Sequence, residues 1–166
     1  MNDLLSILER LLSRRVELVL VGGQAAIVHG VTLVTRDVDV CLSFAQANLE
    51  RLEAAVADLH PVHRMTPRSL PFRLADFKAG TLKNLDLRTD LGVLDCLGEI
   101  AGVGGYQTVV ERSIGVDLPF GTCRVLDLPA LIDAKSAMDR PQDKLALIQL
   151  KAIRDRPQTQ PKRLET

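Results

Sequence analysis

An α+β domain, a small mixed sheet flanked by helices with further helices at its C-terminal end, is predicted by three features of the chain. An apolar, β-branched-rich run at residues 16–21 stops at Gly22-Gly23. Asp37-Val38-Asp39-Val40-Cys41-Leu42 then alternates strictly, as a strand does. Stretches of helical periodicity stand before, between and after such strand-like segments.

Residues 3–14 place leucine or isoleucine at 4, 5, 7, 8, 11 and 12, which predicts an opening amphipathic helix. The strand at 16–21 comes next, then one or two helical turns at 24–29 closed by Gly30. After the Asp-Val-Asp strand, residues 47–59 form a second helix with a stripe of Leu49, Leu52, Val56 and Leu59, ended by Pro61. The segment 61–71 carries three prolines and reads as a loop with a short strand at 62–65, and 72–77 is open between strand and loop. Residues 81–89 alternate so that Leu85 and Leu87 face the core and Asp86 faces the other way. Five glycines between 92 and 105 break up the next stretch, before a short helix at 106–112. Residues 116–118 and 123–126 form a strand pair around the 119–121 turn. A helix spans 128–138, capped by Asp127 with Pro129 in its first turn, and a last helix spans 141–154.

The chain has 166 residues, enough for one core, so residues 1–156 are assigned to a single domain and 157–166 to a polar tail. The formal net charge is zero, which excludes a basic footprint over the whole surface. Trp is absent and Tyr106 is the single Tyr, which argues against aromatic stacking of single-stranded nucleic acid. Cys41, Cys96 and Cys123 stand alone in apolar surroundings and read as buried thiols of a reducing compartment. Neither a leader nor an 18-residue apolar run is evident, so a cytoplasmic protein without membrane contact is expected.

The chemistry concentrates between residues 21 and 40. Asp37 and Asp39 lie on one face of a strand, about 7 Å apart. Two carboxylates held that close repel, and a divalent cation relieves the repulsion. Gly22 and Gly23, at a strand-to-helix turn, leave backbone N–H groups open to a phosphate. His29, His60 and His63 lack metal-ligand spacing, and no chemistry is assigned to them.

Val21-Gly22-Gly23, thirteen intervening residues and Asp37-Val38-Asp39-Val40 resemble the signature of the DNA polymerase β-like nucleotidyltransferases. The similarity is greatest to the small abortive-infection and toxin–antitoxin type of bacterial nucleotidyltransferase. It extends to the lysine-bearing segment 125–135 and the Arg140-Pro141-Gln142-Asp143 turn. The resemblance implies the nucleotidyltransferase fold, with the C-terminal helices closing the cleft. It implies one or two Mg²⁺ ions on Asp37, Asp39 and a third carboxylate, for which Asp86 fits best and Asp90 and Asp95 are rivals. Lys135 is then a catalytic and triphosphate-binding residue, and Gly22, Gly23 and Asp143 are nucleotide-binding. The implied activity is transfer of a nucleoside monophosphate from an NTP such as ATP to a hydroxyl of a tRNA end, a protein or a small molecule. A small antitoxin-like partner is implied by the same resemblance. Two departures stand out: Gly23 replaces a serine common in active members, and Leu33 stands where relatives often carry arginine. They motivate the alternative of a nucleotide- or protein-binding member that does not turn over.

Overall fold

The computed structural model describes residues 3–157. Its secondary structure runs α1 (Asp3–Ser13), β1 (Leu18–Val21), α2 (Gly22–Val28), β2 (Asp37–Leu42), α3 (Gln46–Val56) and β3 (Val62–His63). It continues with β4 (Asn84–Thr89), β5 (Gly92–Leu97), β6 (Glu99–Ile100), β7 (Gly104–Gly105) and α4 (Tyr106–Glu111). The chain closes with β8 (Ser113–Leu118), β9 (Gly121–Leu126), α5 (Leu128–Met138), a 3₁₀ turn at Pro141–Asp143 and α6 (Lys144–Arg154). Among the described residues no helix is long and apolar enough to cross a membrane.

Seven strands form one mixed sheet in the order β3-β4-β5-β2-β1-β9-β8, and β6 and β7 form a separate ribbon. β1 pairs antiparallel with β2 and parallel with β9, while β2 pairs parallel with β5. The β4–β5 and β8–β9 hairpins extend the sheet on its two sides. All four residues of β1 are buried, which is why its sequence is a continuous apolar run rather than an alternating one. α1 buries Leu4, Ile7, Leu8 and Leu11 in the core, the face its periodicity predicts. Asp127 caps α5 by accepting a 2.8 Å hydrogen bond from the Ala130 N–H, as the sequence indicates.

The main difference from the sequence reading is β5. Thr89 pairs with Gly92 across the two-residue connection Asp90-Leu91, and Gly92 sits at φ +134°, a conformation that L side chains rarely adopt. A glycine that looks like a strand breaker is here what lets the chain reverse into a central strand. Two smaller differences lie nearby. The 62–65 strand shortens to Val62–His63, and 72–77 holds only a 3₁₀ turn at Leu74–Asp76. Cys41 shares a sheet face with Asp37 and Asp39 by parity, yet it is fully buried, because α4 covers that face at the far end of β2.

Candidate functional site

The strand register puts three carboxylates in a row. Asp39 on β2 is the register partner of Asp95 on β5, and Asp95 is the partner of Asp86 on β4. Directly paired residues on neighbouring strands point to the same face, with about 4.8 Å between strands. Asp39, Asp95 and Asp86 therefore cross three strands in order, with Asp95 in the middle. Asp37 stands two residues before Asp39 on the same face. All four carboxylates line one cleft of ≈ 770 Å³. Asp90 lies outside it, in the β4–β5 turn, where its carboxylate is 2.6 Å from His60 Nδ1.

Gly22 opens α2 directly from β1, with φ +65°. A Cβ there would clash with Asp39 Oδ2, so this glycine is what allows the carboxylate to lie against the helix start. At Gly23 a Cβ would meet Thr35 Oγ1 at 3.0 Å. The Thr35 side chain occupies the space beside the position where a serine would stand, and its hydroxyl donates to the Asp37 carbonyl oxygen at 3.3 Å. Leu33, Thr35 and the exposed Val34 form the rim next to this turn.

The opposite wall comes from α5 and the turn after it. Lys135 is 8% exposed, and its Nζ donates to Asp143 Oδ1 at 3.2 Å. Arg140 Nε donates to Asp143 Oδ2 at 2.6 Å. Burial pushes the Asp143 carboxyl up, but the hydrogen bonds from Arg140 and Lys135 outweigh it and hold the group below its ordinary value. Asp143 thus locks two cations into the cleft wall. The sequence singles out Lys135, Asp143 and the turn that begins at Arg140, and the structure joins all three side chains.

Charge across the cleft is uneven. The Asp39 carboxyl is pushed up to about 6, first by burial and then by Asp95 and Asp37, and the positive Lys135 and Arg140 offset only part of this. The crowded hard oxygens of Asp37 and Asp39, whose repulsion the nearby cations offset only in part, fit a hard divalent cation such as Mg²⁺. Among the described residues, no three His, Cys, Asp or Glu side chains gather as a ready-made cage. Mg²⁺ commonly takes one or two carboxylates and completes its shell with water and substrate phosphate, so Asp37 and Asp39 meet its need.

Two residues carry more of the site than the sequence indicates. Asp95 is only one of three alternatives there, because the strand that carries it starts at a glycine and does not stand out as a strand. Arg64 comes just after β3, and its backbone N–H donates to the Asp86 carbonyl at 3.0 Å, which places it next in the same row. Its Nη2 donates to both oxygens of Asp95, at 2.7 and 2.8 Å, and lies 3.9 Å from Asp86 Oδ1. No local signal marks Arg64, which sits in a polar, proline-rich stretch.

No protein-family model and no curated protein matches the chain. Solved structures do. The chain is similar to a lincosamide antibiotic adenylyltransferase, LnuA, crystallised with lincomycin bound: TM-score 0.61, 16% identity, covering 91% of this chain and 96% of that one. It is also similar to the antibiotic-resistance factor ANT(2'')-Ia in solution, with TM-score 0.54 and 15% identity over 92% of this chain and 84% of that one. A crystal structure of ANT(2'')-Ia with adenylyl-2''-tobramycin matches at TM-score 0.51 and 17% identity, over 89% and 90% of the two chains. At these identities the likeness establishes the fold, which is that of the nucleotidyltransferases the Gly-Gly and Asp-x-Asp spacing resembles.

Proposed function

We propose that the protein is a Mg²⁺-dependent nucleotidyltransferase that transfers a nucleoside monophosphate from an NTP to a hydroxyl acceptor. The observation that carries this reading is a single cleft with a row of carboxylates on the sheet and a locked pair of cations on the facing wall, within a nucleotidyltransferase fold. Asp37 and Asp39 would hold the ion, which would neutralise phosphate charge at the reacting phosphorus. Lys135 and Arg140 face the β- and γ-phosphates and stabilise the negative charge that gathers on pyrophosphate as it leaves. Gly22 and Gly23 keep the turn free of side chains where the triphosphate passes.

The acceptor oxygen attacks the α-phosphorus, forming a new P–O bond. The bond to the β-phosphate oxygen breaks, and its electron pair leaves with pyrophosphate. The hydroxyl proton passes to a carboxylate oxygen on the acceptor side of the row. We assign that third role to Asp95, because it is the register partner of Asp39, whereas Asp86 is one strand farther away. The similar structures carry lincomycin or an adenylyl-tobramycin, so a small-molecule hydroxyl is the first acceptor to test, with a tRNA end and a protein hydroxyl beside it.

Incubation with each of the four α-³²P-labelled NTPs, Mg²⁺ and three separate acceptor pools (aminoglycosides and lincosamides, total tRNA, and lysate protein) tracks the label directly. Label on one pool identifies the acceptor class, and label on one small protein supports a two-protein system. Correctly folded protein that binds Mg²⁺–NTP but transfers no label to any pool would overturn the transferase reading in favour of a non-catalytic nucleotide binder.

A further inference from the structure

The acid row of the cleft already contains a cation. Arg64 falls into register beside Asp86 through its backbone hydrogen bond to the Asp86 carbonyl, and its guanidinium then reaches past Asp86 to straddle Asp95. The pose is not one that packing alone would choose. Arg64 Nε is buried without a hydrogen-bond partner, while both oxygens of Asp95 accept from a single Nη2. The attraction that holds the side chain is therefore the carboxylate row. Asp95, Asp86 and Asp37 are the acids whose charge the guanidinium feels. At the other end of the row no side chain of opposite sign touches Asp39 within ion-pair distance among the described residues.

We propose that Arg64 is a built-in cation of the cleft, standing on Asp95 and Asp86 where a second divalent ion would otherwise bind, so that the site takes a single ion at Asp37 and Asp39. This rests on the reading of the cleft as a nucleotidyltransferase centre. The single Nη2 takes the chelating side of the Asp95 carboxylate, and the repulsion of its positive charge disfavours a divalent ion on the lone pairs that remain. A divalent ion is exchangeable and must be captured from solution. An arginine is always protonated and always present, so it fixes the Asp95 carboxylate in one orientation without the strain of an empty acidic pocket. Arg64 is in this sense a positioning residue: it acts through Asp95.

Counting bound Mn²⁺ tests the idea without any turnover. Mn²⁺ alone is titrated into the full-length protein, and free ion is read by its electron paramagnetic resonance signal. The expected result is one ion per chain in the wild type, none in Asp39→Asn and two in Arg64→Gln, the second disappearing in Arg64→Gln/Asp95→Asn. The two ions of Arg64→Gln, held on carboxylates of neighbouring strands, should also show spin coupling that the wild type lacks. Two ions in the wild type, a result that needs no variant to fold, would overturn the inference. So would a correctly folded Arg64→Gln that still binds one. No ion in the wild type would instead remove the metal-centre reading on which the inference depends.

Discussion

Asp39 on β2 and Asp95 on β5 face each other across a parallel strand pair, each the register partner of the other. They come from segments more than fifty residues apart, and the repulsion between them helps to push the Asp39 carboxyl up to about 6. That geometry makes Asp39 the most informative residue to alter.

Asp39→Asn is expected to reduce transfer by more than about 100-fold, since even outer-shell partners of catalytic metals contribute about 10–100-fold. The fold should survive. A carboxyl raised above its unfolded value gives stability that is complete below the ordinary 3.8 and is lost as pH rises through about 6. In metal-free buffer at pH 7.5 the asparagine variant should therefore melt a few degrees above the wild type, with the difference vanishing near pH 4; each kcal/mol corresponds to about 2–4 °C at this size. Thermal scans at the two pH values check the sign, and a lower melting temperature for the variant at pH 7.5 would contradict it.

The same titration governs the cation. Mg²⁺–NTP binding should weaken as pH falls below about 6, because a protonated Asp39 no longer serves as a ligand. Calorimetry at pH 5 and pH 7.5, with and without EDTA, measures this. Affinity independent of both pH and chelator would rule out a metal-bridged complex.

Gly22→Ala should damage both fold and site. The new Cβ would clash with Asp39 Oδ2, and the backbone at φ +65° disfavours any side chain by roughly 1–2 kcal/mol. A drop in melting temperature of several degrees and loss of Mn²⁺ binding are expected together. Gly23→Ser has a milder conflict with Thr35 Oγ1 at 3.0 Å. Its cost should shrink in the Gly23→Ser/Thr35→Ala double variant, and denaturant melts of the four proteins give the coupling.

Lys135 and Asp143 should respond unequally. Asp143→Ala strands two cations, one of them in a buried position, and is expected to destabilise by about 3–5 kcal/mol. Lys135→Met leaves Asp143 paired with Arg140 and fills the space with an apolar chain of similar length. It should fold nearly as well as the wild type but bind NTP more weakly. Urea denaturation and nucleotide titration separate the two effects, and equal destabilisation by both would show that Lys135 is structural.

What the sequence by itself determines is local. The Gly22-Gly23 turn, the Asp37/Asp39 face of β2, the Asp127 cap of α5 and the in-phase Asp86 all depend on residues within a few positions of one another, where steric rules and strand parity are decisive. The Lys135–Asp143 pair is within reach of the same reasoning, because a short turn joins their helices. What only the tertiary structure decides is which strands are neighbours. Gly92 hides β5 in the sequence, and the insertion of β5 between β2 and β4 is a non-local choice made by burial of its apolar face. That insertion puts Asp95 between Asp39 and Asp86, and β3 pairing then brings Arg64 into the row. Periodicity shows which face a side chain takes along its own strand, but the order of strands, and so which charges meet, is settled only when the sheet closes.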